Sequence, residues 1–198
     1  MIDNHPFFTI YNDFLMKNLM KKKKSLKEYT FHFSKYIYTP DSINDEREHF
    51  IIKGDEFTRE RIQSEIASLN RDEELAFHST IEISNKKYHF PFIDFSISID
   101  NWDFDRDFIR LKRIIPKAHE IILFNSGRSL HGYSLKLLTQ KEWIDFMGRL
   151  LLIDLPKNPH KIIDSRWIGH RLMGRYSSLR WSNNSGKYLT EPFRISKL

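Results

Sequence analysis

The chain has 198 residues, 40% hydrophobic and 14% aromatic, which is enough to bury the core of one sizeable domain. It contains no cysteine, so disulfides, thiolate catalysis and cysteine-ligated zinc are excluded. The formal net charge of +6 favours anionic partners such as nucleic acid. No apolar stretch approaches the roughly 18 residues that span a bilayer, and the N-terminus lacks a basic segment followed by an apolar one. We therefore expect a soluble, cytoplasmic protein with no membrane partner.

The predicted elements of the first half alternate between helix and strand. A helix is expected from Thr9 to about Lys23, then a strand from about Tyr29 to Tyr38. Thr58 can cap a helix that ends near Asn70. Two strands, Leu75 to Ser84 and Tyr88 to Ile99, are then joined by the turn Asn85-Lys86-Lys87 and form a hairpin.

The second half continues the alternation. Asp100 or Asn101 is expected to cap a helix that Pro116 ends, with the acids at 103, 105 and 107 near its positive end. These acids lack the glycine and the closing glutamate of a calcium loop, so helix-start acids are the favoured interpretation. Strands Glu120–Phe124 and Leu130–Leu138 pair around Gly127, and a capping box at 139–142 opens a helix to about 152. The order ββαββα indicates an α+β fold in one unit, residues 1–198.

Positive charge is concentrated in two segments. The block Lys21 to Lys24 either contacts nucleic acid or ends a helix, where lysines complement the helix dipole. The run from Arg166 to Lys187 interleaves arginines with aromatic residues. That pairing suits single strands, because bases stack on rings while cations neutralise phosphates. Within this run, Arg166, Arg175 and Trp181 are the candidate nucleic-acid contacts.

The most informative segment is Asn125 to Tyr133, a glycine turn followed by a strand. Gly127 allows a tight turn, and the guanidinium of Arg128 offers a fork of donors that matches phosphate oxygens. Strand alternation would place Ser129, His131 and Tyr133 on one face. An ordinary hairpin turn without a ligand is the alternative interpretation.

Two separated acids flank this turn in the sequence. From Ile93 to Asp100 apolar and polar residues alternate, which predicts a half-buried strand with Asp94 on its polar face. Asp164 directly follows the apolar pair Ile162-Ile163. Two acids and a turn suited to phosphate therefore form a candidate constellation.

In this order the segments resemble the archaeo-eukaryotic primase superfamily, the primase-polymerases. The family has an acidic motif, usually Asp-x-Asp or Asp-x-Glu, a Ser-x-His motif, and an apolar residue followed by Asp, often with an Arg and a Lys beyond it. The similar segments are, in turn, Ile93-Asp94-Phe95-Ser96, Ser126-Gly127-Arg128-Ser129-Leu130-His131, Ile163-Asp164 and the run from Ser178 to Lys187. The resemblance covers the motif-bearing core, residues 76–190, and leaves the N-terminal part, 1–75, without a motif.

The resemblance implies a mixed two-lobed α/β architecture with a primase-like, RRM-like catalytic lobe. It implies a nucleotidyltransferase that binds a nucleoside triphosphate, Mg²⁺ or Mn²⁺ and single-stranded DNA or RNA, with a helicase or another replication or defence protein as a conceivable partner. The zinc module of some relatives is excluded by the absence of cysteine. Asp94, His131 and Asp164 match the catalytic residues, Asp94 and Asp164 being the metal ligands, and the nucleotide would be bound by Arg128, Ser129, His131, Arg180 and Lys187.

The chain departs from the family pattern at Ser96, which stands where the second acid of the first motif is expected. Serine cannot supply the negative charge with which carboxylates hold a pair of metal ions. Asp100 would lie about 20 Å from Asp94 along an extended strand. The site would then hold one metal, recruit an acid such as Glu82, or bind nucleotide as a weak or inactive accessory module. An unrelated α+β protein with chance motifs is a further alternative.

Overall fold

Two antiparallel sheets and the helices that pack on them make up this computed structural model, which describes residues 1–22, 25–116 and 119–197. The strands of the first sheet are β1 (Tyr29–Ile37), β2 (Glu48–Lys53), β3 (Glu73–Ile83), β4 (Lys86–His89) and β8 (Ser178–Arg180). Their order is β2-β1-β3-β4, with β8 also paired to β3. The strands of the second sheet are β5 (Phe92–Asp94), β6 (Ile122–Asn125), β7 (Leu130–Tyr133) and β9 (Phe193–Lys197). Their order is β5-β7-β6-β9. The predicted α+β class is confirmed.

The helices connect and cover these sheets. An N-terminal helical stretch consists of Pro6–Phe8, the π-helical Thr9–Met16, and Lys17–Lys22. Four further α-helices are Arg59–Ala67, Arg106–Ile114, Gln140–Leu151 and Ser165–Gly174, and short 3₁₀ turns lie at Leu26–Glu28 and Ile99–Asn101. Thr58 caps the first of the four, as predicted, by accepting the Arg61 N–H at 3.2 Å. The capping box of Thr139 and Glu142 is also confirmed.

The block Lys21 to Lys24 is expected to end a helix or to contact nucleic acid. Two of its residues, Lys23 and Lys24, lie outside the described residues. Among the described residues, no helix has both the length and the apolar character that crossing a membrane requires.

The predicted hairpin after residue 75 is confirmed, but its second strand is shorter than predicted. The turn expected at Asn85-Lys86-Lys87 lies earlier: Ser84 and Asn85 form a two-residue turn with positive φ, of 50° and 64°, and Lys86 already belongs to β4. The strand expected from Tyr88 to Ile99 is broken at Pro91, because proline has no N–H to continue the ladder. The chain before Pro91 pairs in the first sheet, and β5 after it pairs in the second.

The helix expected to begin at Asp100 or Asn101 begins later, at Arg106. The intervening chain holds the 3₁₀ turn and a loop, in which Asp103 accepts the Arg106 N–H at 2.8 Å. Asp107 accepts the Asp103 N–H at 3.1 Å. Two of the acids therefore organise the start of this helix through hydrogen bonds.

Two apolar clusters form the core. The first is largely aromatic and fills the space between the first sheet and the N-terminal helix; Phe31, Phe77 and Trp181 are fully buried in it. The second packs the helix Gln140–Leu151 against the second sheet through Trp143 and Phe146. The junction of the two sheets, where β5 ends, is the position of the candidate site.

Candidate active site

Three backbone elements bring Asp94, His131 and Asp164 together. Asp94 is the last residue of β5, and its partner across the ladder is His131 of β7. The carbonyl oxygen of Asp94 accepts the Asp164 N–H at 3.1 Å, beside a single β-bridge between Phe95 and Ile163. Residues 70 positions apart are thereby made immediate neighbours.

Asp164 has a second, structural role as the N-cap of the helix Ser165–Gly174. Its Oδ1 accepts the Trp167 N–H at 2.8 Å. Its Oδ2 accepts no hydrogen bond from the described residues. One oxygen is therefore committed to the helix, and the other is available to a ligand in the cavity that both acids line.

Asp94 is a buried acid with a second acid beside it, and the positive charges of Arg171 and Arg180 oppose but do not cancel the effect of both on its pKa. Burial raises the pKa of the Asp94 carboxyl well above its usual value, and the negative charge of Asp164 adds to this effect. The nearest cationic candidate is His131, whose Nε2 lies 3.8 Å from Asp94 Oδ1. Burial, assisted by the charge of Arg180, lowers the pKa of His131 well below its usual value, so this imidazole is neutral. Its Nδ1 is buried and has no partner among the described residues.

The loop between β6 and β7 is closed by its own hydrogen bonds. The N–H and the Oγ of Ser126 both donate to the Ser129 carbonyl, each at 2.9 Å, and Asn125 Oδ1 accepts the Gly127 N–H at 2.8 Å. Gly127 has a φ of 90°, and a Cβ there would lie 2.8 Å from the carbonyl oxygen of Thr190. The predicted glycine turn is confirmed, and the structure adds a second reason for glycine that the sequence did not show, the close approach of the Thr190 backbone.

Arg180, the last residue of β8, stabilises this loop by hydrogen bonds. It is 4% exposed, and its guanidinium donates to the carbonyl oxygens of Ser182 and Ser126, and to that of Thr190 at 3.4 Å. The same guanidinium lies 3.7 Å from the ring centre of Tyr188. Its donors are therefore directed at the protein; contact between Arg180 and a nucleotide stays a prediction.

An open cavity of about 1150 Å³ collects most of the residues selected from the sequence. Asp94, Arg128, Ser129, His131, Asp164, Arg166 and Arg180 line it. Arg175 and Lys187 are exposed outside this lining: Arg175 ends the helix Ser165–Gly174 with a φ of 62°, and Lys187 Nζ donates to the Tyr38 carbonyl at 3.2 Å. The cavity thus brings the three catalytic candidates together with the loop between β6 and β7, residues 126–129, which we call the motif loop.

The assignment of Trp181 as a nucleic-acid contact is wrong. Its side chain is 0% exposed and stacks on Phe77, with ring centres 4.4 Å apart. Its Nε1 donates to the Tyr133 hydroxyl at 3.1 Å, and Tyr133 is itself fully buried. A base cannot stack on a ring whose faces are already packed, so Trp181 is a core residue.

The suggestion that Glu82 supplies the second acid is also wrong. Its carboxylate lies 3.4 Å from His32 Nε2 and 3.6 Å from Lys87 Nζ, and it does not line the cavity. Asp100 lies in the 3₁₀ turn, likewise outside the lining. Ser96 does line the cavity, with its hydroxyl donating to the Lys161 carbonyl at 3.3 Å.

Sequence reasoning missed two groups of residues around the site. Asp45 and Arg47 form an ion-pair cluster with Arg171 in the cavity wall; Arg171 is more than 120 positions away from the other two, and no motif marks any of them. Glu74 is fully buried and accepts hydrogen bonds from the turn after β8, from the hydroxyl of Ser182, the N–H of Asn184, and both the N–H and the hydroxyl of Ser185. An acid at the start of an apolar strand usually faces solvent, so only the serine-rich turn offered a signal for a buried carboxylate.

The two carboxylates are of the kind that binds a divalent metal, but two protein ligands are too few to complete its coordination. Carboxylate oxygens are the donors that Mg²⁺ and Mn²⁺ prefer, and the raised pKa of Asp94 is what a pair lacking its counter-charge would show. Among the described residues, however, no three or more histidine, aspartate and glutamate side chains are grouped to hold a metal. The remaining ligands would have to be phosphate oxygens or water.

Comparison with known proteins identifies a family for this chain. No curated protein and no solved structure matches the chain. The family model described as AEP-like, archaeo-eukaryotic primase 1D-like, matches residues 53–193, and so begins within the N-terminal part that showed no motif in the sequence. The resemblance to the primase superfamily is confirmed, and because the match spans well over half of the chain, the protein belongs to the AEP-like family of archaeo-eukaryotic primase 1D-like proteins.

Proposed function

We propose that this protein is a primase-polymerase-type nucleotidyltransferase that binds a nucleoside triphosphate, Mg²⁺ or Mn²⁺, and single-stranded DNA or RNA in the cavity around Asp94 and Asp164. One observation carries the proposal: the two acids are joined by a backbone hydrogen bond of 3.1 Å in the cavity that also contains the motif loop. Family membership supports a primase-like function at the family level.

Each candidate residue has a role that its surroundings favour. Asp94 and the free oxygen of Asp164 would hold the metal, which when bound would polarise a phosphate oxygen and lower the pKa of the attacking hydroxyl. Arg128 is exposed at the tip of the motif loop, where its planar fork suits phosphate oxygens. Ser129 and the unpartnered Nδ1 of His131 are nearby polar groups that a triphosphate would satisfy.

The nucleic-acid strand would follow the cations at the mouth of the cavity. Arg166 lines the cavity and is exposed. Arg175 is the C-cap of the helix that contains Arg166, and it is also exposed. Both arginines would contact phosphates rather than bases, so binding should show little sequence preference and should weaken steeply as salt rises. A fluorescence-anisotropy titration of a labelled single strand at several salt concentrations measures both properties.

The central experiment is nucleotide transfer to a primed single-stranded DNA with Mn²⁺ and labelled nucleotides. Asp94→Asn and Asp164→Asn should each reduce transfer by at least about 100-fold, since each removes a metal ligand. Asparagine keeps the N-cap acceptor at 164, so the helix should survive. Asp145→Asn is the matched control, because this acid is exposed on the helix Gln140–Leu151. Equal transfer by all four proteins would contradict the proposal.

A catalytically weak nucleotide-binding module is the second candidate, and Ser96 favours it. This exposed serine lines the cavity two residues after Asp94, at the position where the family pattern has its second acid. Ser96→Asp should increase both Mn²⁺ affinity, measured by calorimetry, and nucleotide transfer. If the native protein already extends primers rapidly and Ser96→Asp abolishes that activity, the argument from the missing acid fails.

A further inference from the structure

We infer that Arg171 and Arg47 form a second phosphate-binding subsite, for a backbone phosphate of single-stranded nucleic acid, and that the carboxylate of Asp45 occupies it until a strand binds. The inference deepens the proposed function and rests on it. It concerns the wall of the cavity formed by the segment 38–47 and the helix Ser165–Gly174, rather than the catalytic acids.

Arg171 is a buried cation with unused hydrogen-bonding capacity in the cavity wall. Its side chain is 3% exposed, one terminal nitrogen donates to Ser178 Oγ at 2.6 Å, and the other pairs with Asp45. Its Nε is buried and has no partner among the described residues. A guanidinium in this state retains a donor that an anion with several oxygens could satisfy, whereas the two oxygens of Asp45 do not.

Asp45 is held in a fork between two guanidinium groups. The Nε of Arg47 donates to both of its oxygens at 2.9 Å, and Arg171 approaches one of them. Although burial acts to raise its pKa, the hydrogen bond from Arg47 and the charges of both arginines keep the Asp45 pKa below its usual value. A carboxylate between two planar forks occupies the position that suits a phosphate, so Asp45 is an internal stand-in for one.

The rest of the segment is attached so that it could release Asp45. Arg47 is held separately to β1, through Ser34 Oγ at 3.3 Å and the ring of Tyr36, whose centre lies 4.1 Å from the guanidinium. Before Asp45, the segment is linked through Arg166, which donates to the Ser42 carbonyl, and through Lys187, which donates to the Tyr38 carbonyl. The segment also carries Asp41 and Glu46, which line the same cavity. An acidic segment on a basic wall screens the cations that a strand would use, and displacing Asp45 exposes Arg171.

The direct test removes the stand-in charge. Asp45→Asn should tighten binding of a labelled single-stranded oligonucleotide by about fivefold or more, because one charge-assisted contact becomes available without competition. The slope of log affinity against log salt should steepen by about 0.7, the value for one additional phosphate contact on a single strand. Adding Arg171→Gln to this variant should return both quantities to those of the native protein.

Asp41→Asn is the matched control, since it makes the same charge change in the same segment. Asp41 has a φ of 59°, a conformation that asparagine tolerates, and no ion pair among the described residues. If the two single variants tighten binding equally, a general charge effect replaces the specific subsite. If Asp45→Asn leaves affinity unchanged or weakens it while remaining folded, the ion pair is structural and the inference is overturned.

A second measurement does not depend on the stability of Asp45→Asn. Because the chain has no cysteine, Ile43→Cys provides a unique thiol on the segment, at a side chain that is 80% exposed. A spin label there should become more mobile when saturating oligonucleotide displaces Asp45 and the residues before it, while Arg47 stays bound to Ser34. Unchanged mobility at saturation would overturn the inference.

The two proposals can fail separately. If the native protein transfers no nucleotide but Asp45→Asn binds the oligonucleotide more tightly with the steeper salt slope, the subsite stands and the catalytic proposal fails. If transfer depends on Asp94 and Asp164 but Asp45→Asn and Asp41→Asn behave alike, the catalytic proposal stands and the subsite fails. Absence of oligonucleotide binding by both the native protein and Asp45→Asn at low salt overturns the subsite.

Discussion

At the scale of single residues, Asp164 combines an observed N-cap with the catalytic role that we propose for it, one for each of its two oxygens. One oxygen caps the helix Ser165–Gly174, and the other has no partner among the described residues. A residue with both roles cannot be tested by alanine alone, since any loss of activity would combine the two effects. Two substitutions, Asp164→Ala and Asp164→Asn, are therefore needed to separate the effect on stability from the effect on activity.

Asp164→Ala should lower the free energy of unfolding by about 1 kcal/mol, because the cap is lost, whereas Asp164→Asn should leave it nearly unchanged. Both should lose nucleotide transfer if the proposed function is right. Urea unfolding followed by circular dichroism measures the first effect, and the transfer assay measures the second. Equal destabilisation by both substitutions would show that the charge, rather than the hydrogen bond, stabilises this helix end.

At the scale of elements, the motif loop depends on a segment from the other end of the chain. Gly127 lies against the backbone of Thr190, and Arg180 donates to carbonyls on both sides of this contact. The loop is thus supported by a chain segment about 60 residues later in the sequence. Its conformation is a tertiary property, although its residues are local.

Gly127→Ala should lower the free energy of unfolding by about 2 kcal/mol, because its φ is positive and the added Cβ would meet the Thr190 backbone. Gly148→Ala is the control, since nothing lies within 4 Å of a Cβ at that helical position. It should stabilise the protein by about 0.5–1 kcal/mol through helix propensity. Chemical denaturation of both variants makes the comparison, and a neutral Gly127→Ala would contradict the observed close approach.

At the scale of the whole molecule, Trp181 joins the two sheets. It stacks on Phe77 of β3 in the first sheet, donates to Tyr133 of β7 in the second, and packs against His5 of the N-terminal segment, with ring centres 5.3 Å apart. The residue directly after β8 is therefore a point at which three parts of the chain meet.

Trp181→Ala should lower the free energy of unfolding by about 3–5 kcal/mol, the usual cost of removing a buried aromatic side chain. Trp181→Phe should cost less, because it keeps the ring but leaves the Tyr133 hydroxyl without the indole donor. Thermal unfolding distinguishes the three proteins. A Trp181→Ala variant that is fully stable but binds nucleic acid weakly would restore the surface role that burial excludes.

The protein should lose stability as the pH falls from about 6.5. Burial lowers the pKa of His5 to about 3 and that of His89 to about 4, so the unfolded chain takes up these protons first. The stabilising contribution is complete above the unfolded value of 6.5 and is lost toward pH 4, at up to about 1.4 kcal/mol per pH unit for each histidine. Urea unfolding between pH 4.5 and pH 8 measures the slope.

His5→Asn provides the check on that assignment. His5 Nδ1 accepts the Phe7 N–H at 3.1 Å, and its Nε2 donates to the Trp181 carbonyl at 2.7 Å. Asparagine can keep the first contact but does not titrate, so the variant should be less stable at pH 8 and should show a shallower decline with acid. An unchanged slope would assign the acid sensitivity to other groups.

The sequence by itself determined the features that depend on neighbouring residues. The caps at Thr58 and Thr139, the existence of a hairpin after residue 75, and the glycine turn at Gly127 follow from local backbone chemistry. The motifs around Asp94, His131 and Asp164 were readable because each motif is a short local pattern. Their order along the chain was sufficient to identify the family.

Only the tertiary structure decided which side chains are buried and which distant segments of the chain pack against each other. Local alternation predicted one strand through Pro91, but the chain changes sheets there, since the two sheets bury different neighbours. The aromatic residue among the arginines, Trp181, suggested a surface for stacking until the packing of both sheets placed it in the core. The pairing of Asp45 with Arg171 joins positions 126 apart. Such contacts depend on long-range packing, which no local spacing encodes.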